Sequence, residues 1–211
     1  MAESGQRVVV GITGASGAVY AARLIQLCVA SGAAVHLVVS PLGRRLLHDE
    51  LGMETLDLAA LAGLPGESAP DNLIYHDVRD VGAVVASGSF KHDGMVVVPC
   101  SSNTLSAVAT GSSSNLIHRA GHVCLKERRK LVLVHREAPL SLVDIENMKR
   151  VTEAGGIVMP ANPGFYMLPE RVEDLVDFVV GRTLDLLGVE HDLNVRWAEM
   201  KPGSAERSRG G

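Results

Sequence analysis

"RVVVGITGASGAVYAARLIQL", residues 7–27, decides the fold. Its first part is a short β-branched run. Its last part spaces apolar residues as one face of a helix, and "GITGASG" (11–17) joins the two. An apolar run that does not alternate with polar residues suits a strand buried on both faces, as in a parallel sheet. The same unit then repeats along the chain. Further strands are predicted at 34–39, 73–76, 94–99, 131–135 and 156–159. Helices are predicted at 17–31, 41–50, 55–62, 102–109, 115–128, 140–154 and 170–187. In the last of these, Val172, Leu175, Val176, Val179 and Thr183 mark one face behind an acidic first turn.

This alternation predicts an α/β fold: a Rossmann-like or flavodoxin-like parallel sheet sandwiched between helices in a single domain. Residues 1–6 read as a flexible N-terminus, 7–190 as the domain and 191–211 as an extension ending in disorder. At 211 residues and 46% hydrophobic content the chain can bury one substantial core. A net charge of −4 gives no reason to expect nucleic acid or an anionic membrane as a partner. The apolar runs are strand-sized, and the polar start "MAESGQR" is not a secretory signal. Cys28, Cys100 and Cys124 show no paired spacing and read as reduced thiols, which points to the cytoplasm.

Ligands of an open parallel sheet collect at the carboxyl ends of its strands, so the residues there are the candidates. After the first strand, Gly14, Ala15 and Ser16 let a phosphate approach the backbone, with the N–H groups of the next helix pointing at it. The spacing is GxxGxxG rather than the dinucleotide GxGxxG. The second strand ends at Ser40, without the acid that would take ribose hydroxyls. A mononucleotide fits better than NADP, although Arg44 and Arg45 lie nearby. The fourth strand runs into Ser101, Ser102, Asn103 and Thr104, which suit both helix capping and ligand binding. The turn Ser87, Gly88, Ser89 upstream suits a second anion. Asn115 caps a helix carrying Arg119 and Lys126, and the rest of "KERRK" (126–130) reads as a solvated helix end. The fifth strand delivers Arg136 and Glu137. Cations with one carboxylate suit phosphate binding coupled to proton transfer. His118 and His122 have chelating spacing but no evident third ligand, so no metal is expected. Beyond the sixth strand, Phe165 and Tyr166 sit in a Pro/Gly-fixed loop, and Arg182 follows on the closing helix.

Taken together, "GITGASGAVYAARL", "ASGSF", "PCSSNTLSAVATG", "LKERRKLVLVHREAP" and "NPGFYMLPERVEDLVDFVVGR" resemble the UbiX flavin prenyltransferase family, in order over roughly residues 7–188. The resemblance implies FMN as the bound flavin and dimethylallyl monophosphate, or in some members the pyrophosphate, as donor. The five-carbon group is attached to nitrogen five and carbon six of reduced FMN, with no metal. The product serves a partner UbiD-type decarboxylase. Members form homo-oligomers, commonly dodecamers, with active sites between subunits. Carried over by position, Gly14, Ala15, Ser16, Ser40, Ser101, Ser102, Asn103, Thr104 and Arg119 would hold FMN. Ser87, Gly88, Ser89, Lys126, Arg136, Tyr166 and Arg182 would meet the prenyl phosphate. Glu137 would manage its protons, and Lys126 and Ser16 stand beside it in the catalytic set. Glu50 looks like the acid that joins from a neighbouring subunit. Val81 offers no aromatic ring near "ASGSF", which implies one aliphatic pocket wall. An FMN-dependent cysteine-type decarboxylase would leave Lys126, Arg136, Glu137 and Arg182 without a clear task. A non-catalytic flavin carrier would not need the second phosphate site.

Overall fold

Six strands pair in parallel in the order β3-β2-β1-β4-β5-β6. They are β1 (Arg7–Ile12), β2 (Ala34–Val39), β3 (Leu73–His76), β4 (Gly94–Cys100), β5 (Leu131–His135) and β6 (Ile157–Pro160). The computed structural model describes residues 5–193, so the predicted disordered end lies outside the described residues. The helices are α1 (Ala18–Ala30), α2 (Pro41–Leu51), α3 (Leu58–Leu61), α4 (Ser102–Thr110), α5 (Leu116–Lys126), α6 (Leu142–Glu153) and α7 (Val172–Leu187). This strand order reverses direction between β1 and β4, the crevice where open α/β sheets bind their ligands.

The unbroken apolar runs fill two cores at once. Val8, Val10 and Ile12 of β1 face one side with Leu24 and Ile25 of α1 and Val179 and Leu184 of α7. Val9 faces the other side with Leu105 of α4 and Ile117 and Ala120 of α5. Successive strand side chains point to opposite faces, so each strand feeds both layers, and burying each large aliphatic contributes about 1.5–3 kcal/mol.

Two expectations need correction. The helix predicted at 55–62 shrinks to α3, because the Asp57 carboxylate accepts from Ala60 N at 2.9 Å and starts it late, while Gly63 at φ +80 follows its end. On α7, Val172 is 69% exposed, and the buried face begins at Val176 and runs through Val179, Val180, Thr183, Leu184 and Leu187. The first turn of α7 stands clear of the sheet, and the helix packs only from the turn where Asp177 meets Arg23 of α1.

Candidate active site

The carboxyl ends of β1 and β4 are tied together by one buried hydroxyl. Thr13 donates from Oγ1 to the carbonyl of Pro99 at 2.8 Å and accepts from Ser101 N at 2.9 Å, while its own N–H reaches Pro99 O. Ser101 then caps α4, its Oγ accepting from Thr104 N. Ser40 caps α2 in the same way through Gly43 N at 2.9 Å. Gly14–Ser16, Ser40 and Ser101–Thr104 thus form one continuous rim, as predicted from the strand ends.

The glycine turn differs from its expected use. A Cβ on Gly14 would come within 2.5 Å of the Leu42 Cβ, and Gly17 adopts φ +123, so packing and turn geometry already demand glycine at both. The first N–H groups of α1 do not point into free space. Glu50 accepts from Gly17 N at 3.0 Å and from Ala18 N at 2.8 Å, placing a carboxylate on the positive end of α1. Glu50 is therefore engaged within its own chain, against the first turn of α1. At the start of α4, the N–H groups of Ser102 and Asn103 have no hydrogen-bond partner among the described residues.

Beside that helix start stands the end of β5. The Arg136 Nε is buried and has no hydrogen-bond partner among the described residues. Its neighbour Glu137 is exposed, with Oε2 accepting from the Ser102 hydroxyl at 3.3 Å. The same hydroxyl lies 3.2 Å from Nε2 of His135, which is only 3% exposed. Burial pushes the His135 imidazole below its ordinary pKa, against the pull of Asp144 and Glu137. Asp144, in the capping box of α6, is held down to about 2 by hydrogen bonds from Ser141 and Ser102.

Other predicted residues lie elsewhere on the chain. Arg119 is on the first turns of α5, exposed, near the carboxyl edge, its guanidinium without a partner among the described residues. Lys126 is at the far end of α5, paired with Glu127. A Cβ on Gly88 would sit 3.1 Å from the Lys126 Nζ, so Ser87, Gly88, Ser89 and Lys126 do come together. They meet, however, at the amino edge of the sheet, where Asp93 bonds Arg7 and Met95 N reaches Lys130 O. The five residues of β5, at about 3.3 Å each, separate them from Glu137. Tyr166 and Arg182 form a third group. Tyr166 packs edge-on against Phe178 at 5.7 Å, and Phe178 and Arg182 line a groove of about 370 Å³ along β6.

Sequence reasoning misses several positions. Thr13 and His135 read as parts of a turn and a strand, and nothing local says which way their polar atoms point. Arg129 and Lys130 read as a solvated helix end, which the structure corrects. Arg129 donates to the carbonyls of Gly88 and of Phe90, the latter at 2.6 Å, and Lys130 donates to Leu187 O at 3.1 Å. Arg129 thus fixes the 87–90 turn beside Lys126. Arg44 is engaged with the Tyr75 hydroxyl and Arg45 with Asp49, away from the rim. His118 contacts Ser114 and Asn115 through its two ring nitrogens.

Comparison with known proteins places the chain in a family. The sequence profile of the flavoprotein family matches residues 1–184. A flavin prenyltransferase UbiX of Halalkalibacterium halodurans is 45% identical over 190 residues, covering 90% of this chain and 92% of its own. A UbiX crystal structure in complex with FMN and dimethylallyl pyrophosphate superposes with a TM-score of 0.77 at 39% identity, over 88% of this chain and 94% of that one. A dodecameric FMN-dependent UbiX-like decarboxylase from Escherichia coli gives 0.80 at 39% identity, over 91% and 99%. A PPC decarboxylase, at 18% identity and TM-score 0.56, shares the fold. The chain belongs to the flavoprotein family and, within it, to the UbiX-type flavin prenyltransferases.

Proposed function

We propose that Gly14, Ala15, Ser16, Ser40, Ser101–Thr104 and Arg119 hold FMN, and that Ser87, Gly88, Ser89, Lys126, Arg136, Tyr166 and Arg182 bind the prenyl phosphate. The protein is a flavin prenyltransferase that joins a dimethylallyl group to FMN. The observation that carries the site reading is the buried, unpartnered Nε of Arg136 beside Glu137 at the open end of β5. An orphaned buried donor next to a solvent-facing carboxylate is a site prepared for an anion that exchanges protons. The rim fits a flavin mononucleotide too. It offers serine and threonine hydroxyls and two free N–H groups, and it has no acid after β2 to favour a dinucleotide.

Reduced flavin, when bound, supplies the nucleophilic nitrogen and ring carbon that take the five-carbon group. The chain's own residues act on the other partner. The bond that breaks joins the allylic carbon to a phosphate oxygen, and its electron pair leaves with phosphate. A monophosphate dianion leaves poorly. Glu137 supplies a proton to it, while Lys126, Arg136 and Arg182 neutralise the remaining charge. Tyr166 shields the cationic allyl fragment with its ring face.

The three groups stand apart on one chain, so a neighbouring copy brings Lys126 with its serine turn, or Tyr166 with Arg182, to the Glu137 of another. On this reading the chain works as a homo-oligomer, dodecameric like its Escherichia coli relative. Its product passes to a UbiD-type decarboxylase in the cytoplasm. Among the described residues no helix is long and apolar enough to cross a membrane. The direct test is mass spectrometry of flavin released after anaerobic incubation with reduced FMN and dimethylallyl monophosphate or pyrophosphate. A flavin heavier by one prenyl group is expected, and unmodified FMN with both donors would overturn the reading.

A further inference from the structure

We infer that His135 and Ser102 are positioning residues for Glu137: a buried imidazole and a hydroxyl hold its carboxylate in place for proton transfer. This inference rests on the proton-transfer role of Glu137 proposed above. Ser102 Oγ stands 3.3 Å from Glu137 Oε2 and 3.2 Å from His135 Nε2. A serine hydroxyl has one proton to give. When that proton points to Glu137, the hydroxyl oxygen needs a donor on its other side, and His135 Nε2–H supplies it. Asp144 also draws on Ser102, but it already accepts from the Ser141 N–H at 2.9 Å and from the Ser141 hydroxyl at 2.6 Å. Glu137 otherwise accepts from Ala138 N through Oε1, so without Ser102 its Oε2 has no tether among the described residues.

The charged groups facing His135 are Asp144 from α6 and Arg136 and Glu137 from the segment after β5. Burial at 3% exposure favours the neutral ring, and a neutral ring can act as a fixed donor without forming an ion pair with Glu137. Loss of the Ser102 hydroxyl should therefore free the Glu137 carboxylate to turn away from the phosphate it protonates.

The test is Ser102→Ala, His135→Val and His135→Gln in the full chain, with prenyl transfer followed across pH. Ser102→Ala should lower kcat about tenfold and shift the pH profile of kcat, because the carboxylate that passes the proton is no longer held. KM for dimethylallyl phosphate, measured at saturating FMN, should stay within about twofold. Ser102→Thr, which keeps the hydroxyl, should restore the profile. His135→Val should share the shift, and His135→Gln, which keeps an N–H donor, should largely reverse it. Independently, ¹⁵N NMR of the flavin-free protein should show the neutral His135 ring protonated at Nε2. Profiles of folded Ser102→Ala and native enzyme that superimpose would overturn the inference, and so would an Nε2 without its proton. If His135→Val does not fold, Ser102→Ala and the NMR measurement decide alone. Native enzyme that transfers no prenyl group would instead sink the functional reading, while the tautomer measurement would still test the His135–Ser102 contact.

Discussion

The carboxyl edge and the amino edge of the sheet carry the same kinds of residue and are built to different degrees of completeness. At the carboxyl edge, Thr13 joins two loops 86 residues apart, Ser101 and Ser40 cap their helices, and Arg136 waits with a buried unpaired nitrogen. At the amino edge, Ser87–Ser89 and Lys126 cluster around Glu127 and are held by Arg129, with no rim to enclose a ligand. On the proposed reading, the first region is a cradle within one chain and the second a finger that serves a cradle it can reach. A prenyl transferase needs both a fixed acceptor pocket and a charge clamp on a departing phosphate, and here the two are separated by the height of the sheet.

The largest effect should fall on the cradle. Glu137→Gln keeps shape and polarity but cannot carry the proton, so prenyl transfer should drop about 10²- to 10⁴-fold with FMN affinity retained. Stopped turnover with normal flavin titration is the expected result, and unchanged turnover would remove Glu137 from the mechanism. The sharper test of the comparison is complementation. Glu137→Gln and Lys126→Ala chains, each impaired alone, should regain activity when unfolded and refolded together, because a mixed oligomer can offer an intact Glu137 to an intact Lys126. No recovery in mixed oligomers would place both residues in a site within one chain.

Thr13→Val should come next. It leaves Ser101 N without its acceptor and removes a buried donor to Pro99, a loss of about 1–3 kcal/mol. Calorimetry should show a lower Tm together with weaker FMN binding, and Thr13→Ser should recover most of both. At the amino edge, Arg129→Gln should leave FMN affinity and Tm nearly unchanged. It should raise KM for the prenyl phosphate several-fold, since the 87–90 turn loses both carbonyl anchors beside Lys126.

The sheet is legible because each strand faces two cores. A short apolar run with no alternation fits a strand covered on both faces and little else, and every predicted strand appears within one residue at either end. The cradle is legible for the same reason, since strand ends in a parallel sheet share an edge. What stays hidden depends on direction rather than position. Arg129 and Arg128 are adjacent in a charged run, and nothing local shows that one turns back to hold Gly88 while the other adopts φ +56. Glu50 is placed by the length and tilt of α2, which the spacing of its apolar residues does not record. The separation of Lys126 from Glu137 follows from α5 running against the strands, a consequence of topology that motif order along the chain conceals.

The smallest expected effect separates the edges by acid. Toward the amino edge, His36 in the middle of β2 packs edge-on against Phe90 and lies near His92 and Arg7, while its ring also bonds His76, the last residue of β3, at 2.9 Å. Burial, then the neighbouring His76 and cations, lower the His36 pKa to about 4, and burial lowers His76 and His92 as well. A histidine whose folded pKa lies below its unfolded value near 6.5 binds fewer protons in the native state. Its contribution is therefore complete above pH 6.5 and is lost as pH falls toward 4, on the order of 2–3 kcal/mol for a shift of this size. At the carboxyl edge burial also lowers His135 and His118, but Asp144 and Glu137 lie close enough to His135 to favour its charged form. Amide exchange should therefore rise in residues 84–92 before it rises in 11–17 or 99–104 as pH drops from 6.5 to 4.5. The Lys126 finger should loosen while flavin still binds, so acid should raise KM for the prenyl phosphate before it weakens FMN. If both edges open together, the histidine cluster does not hold the finger, and the two regions share a single cooperative unit.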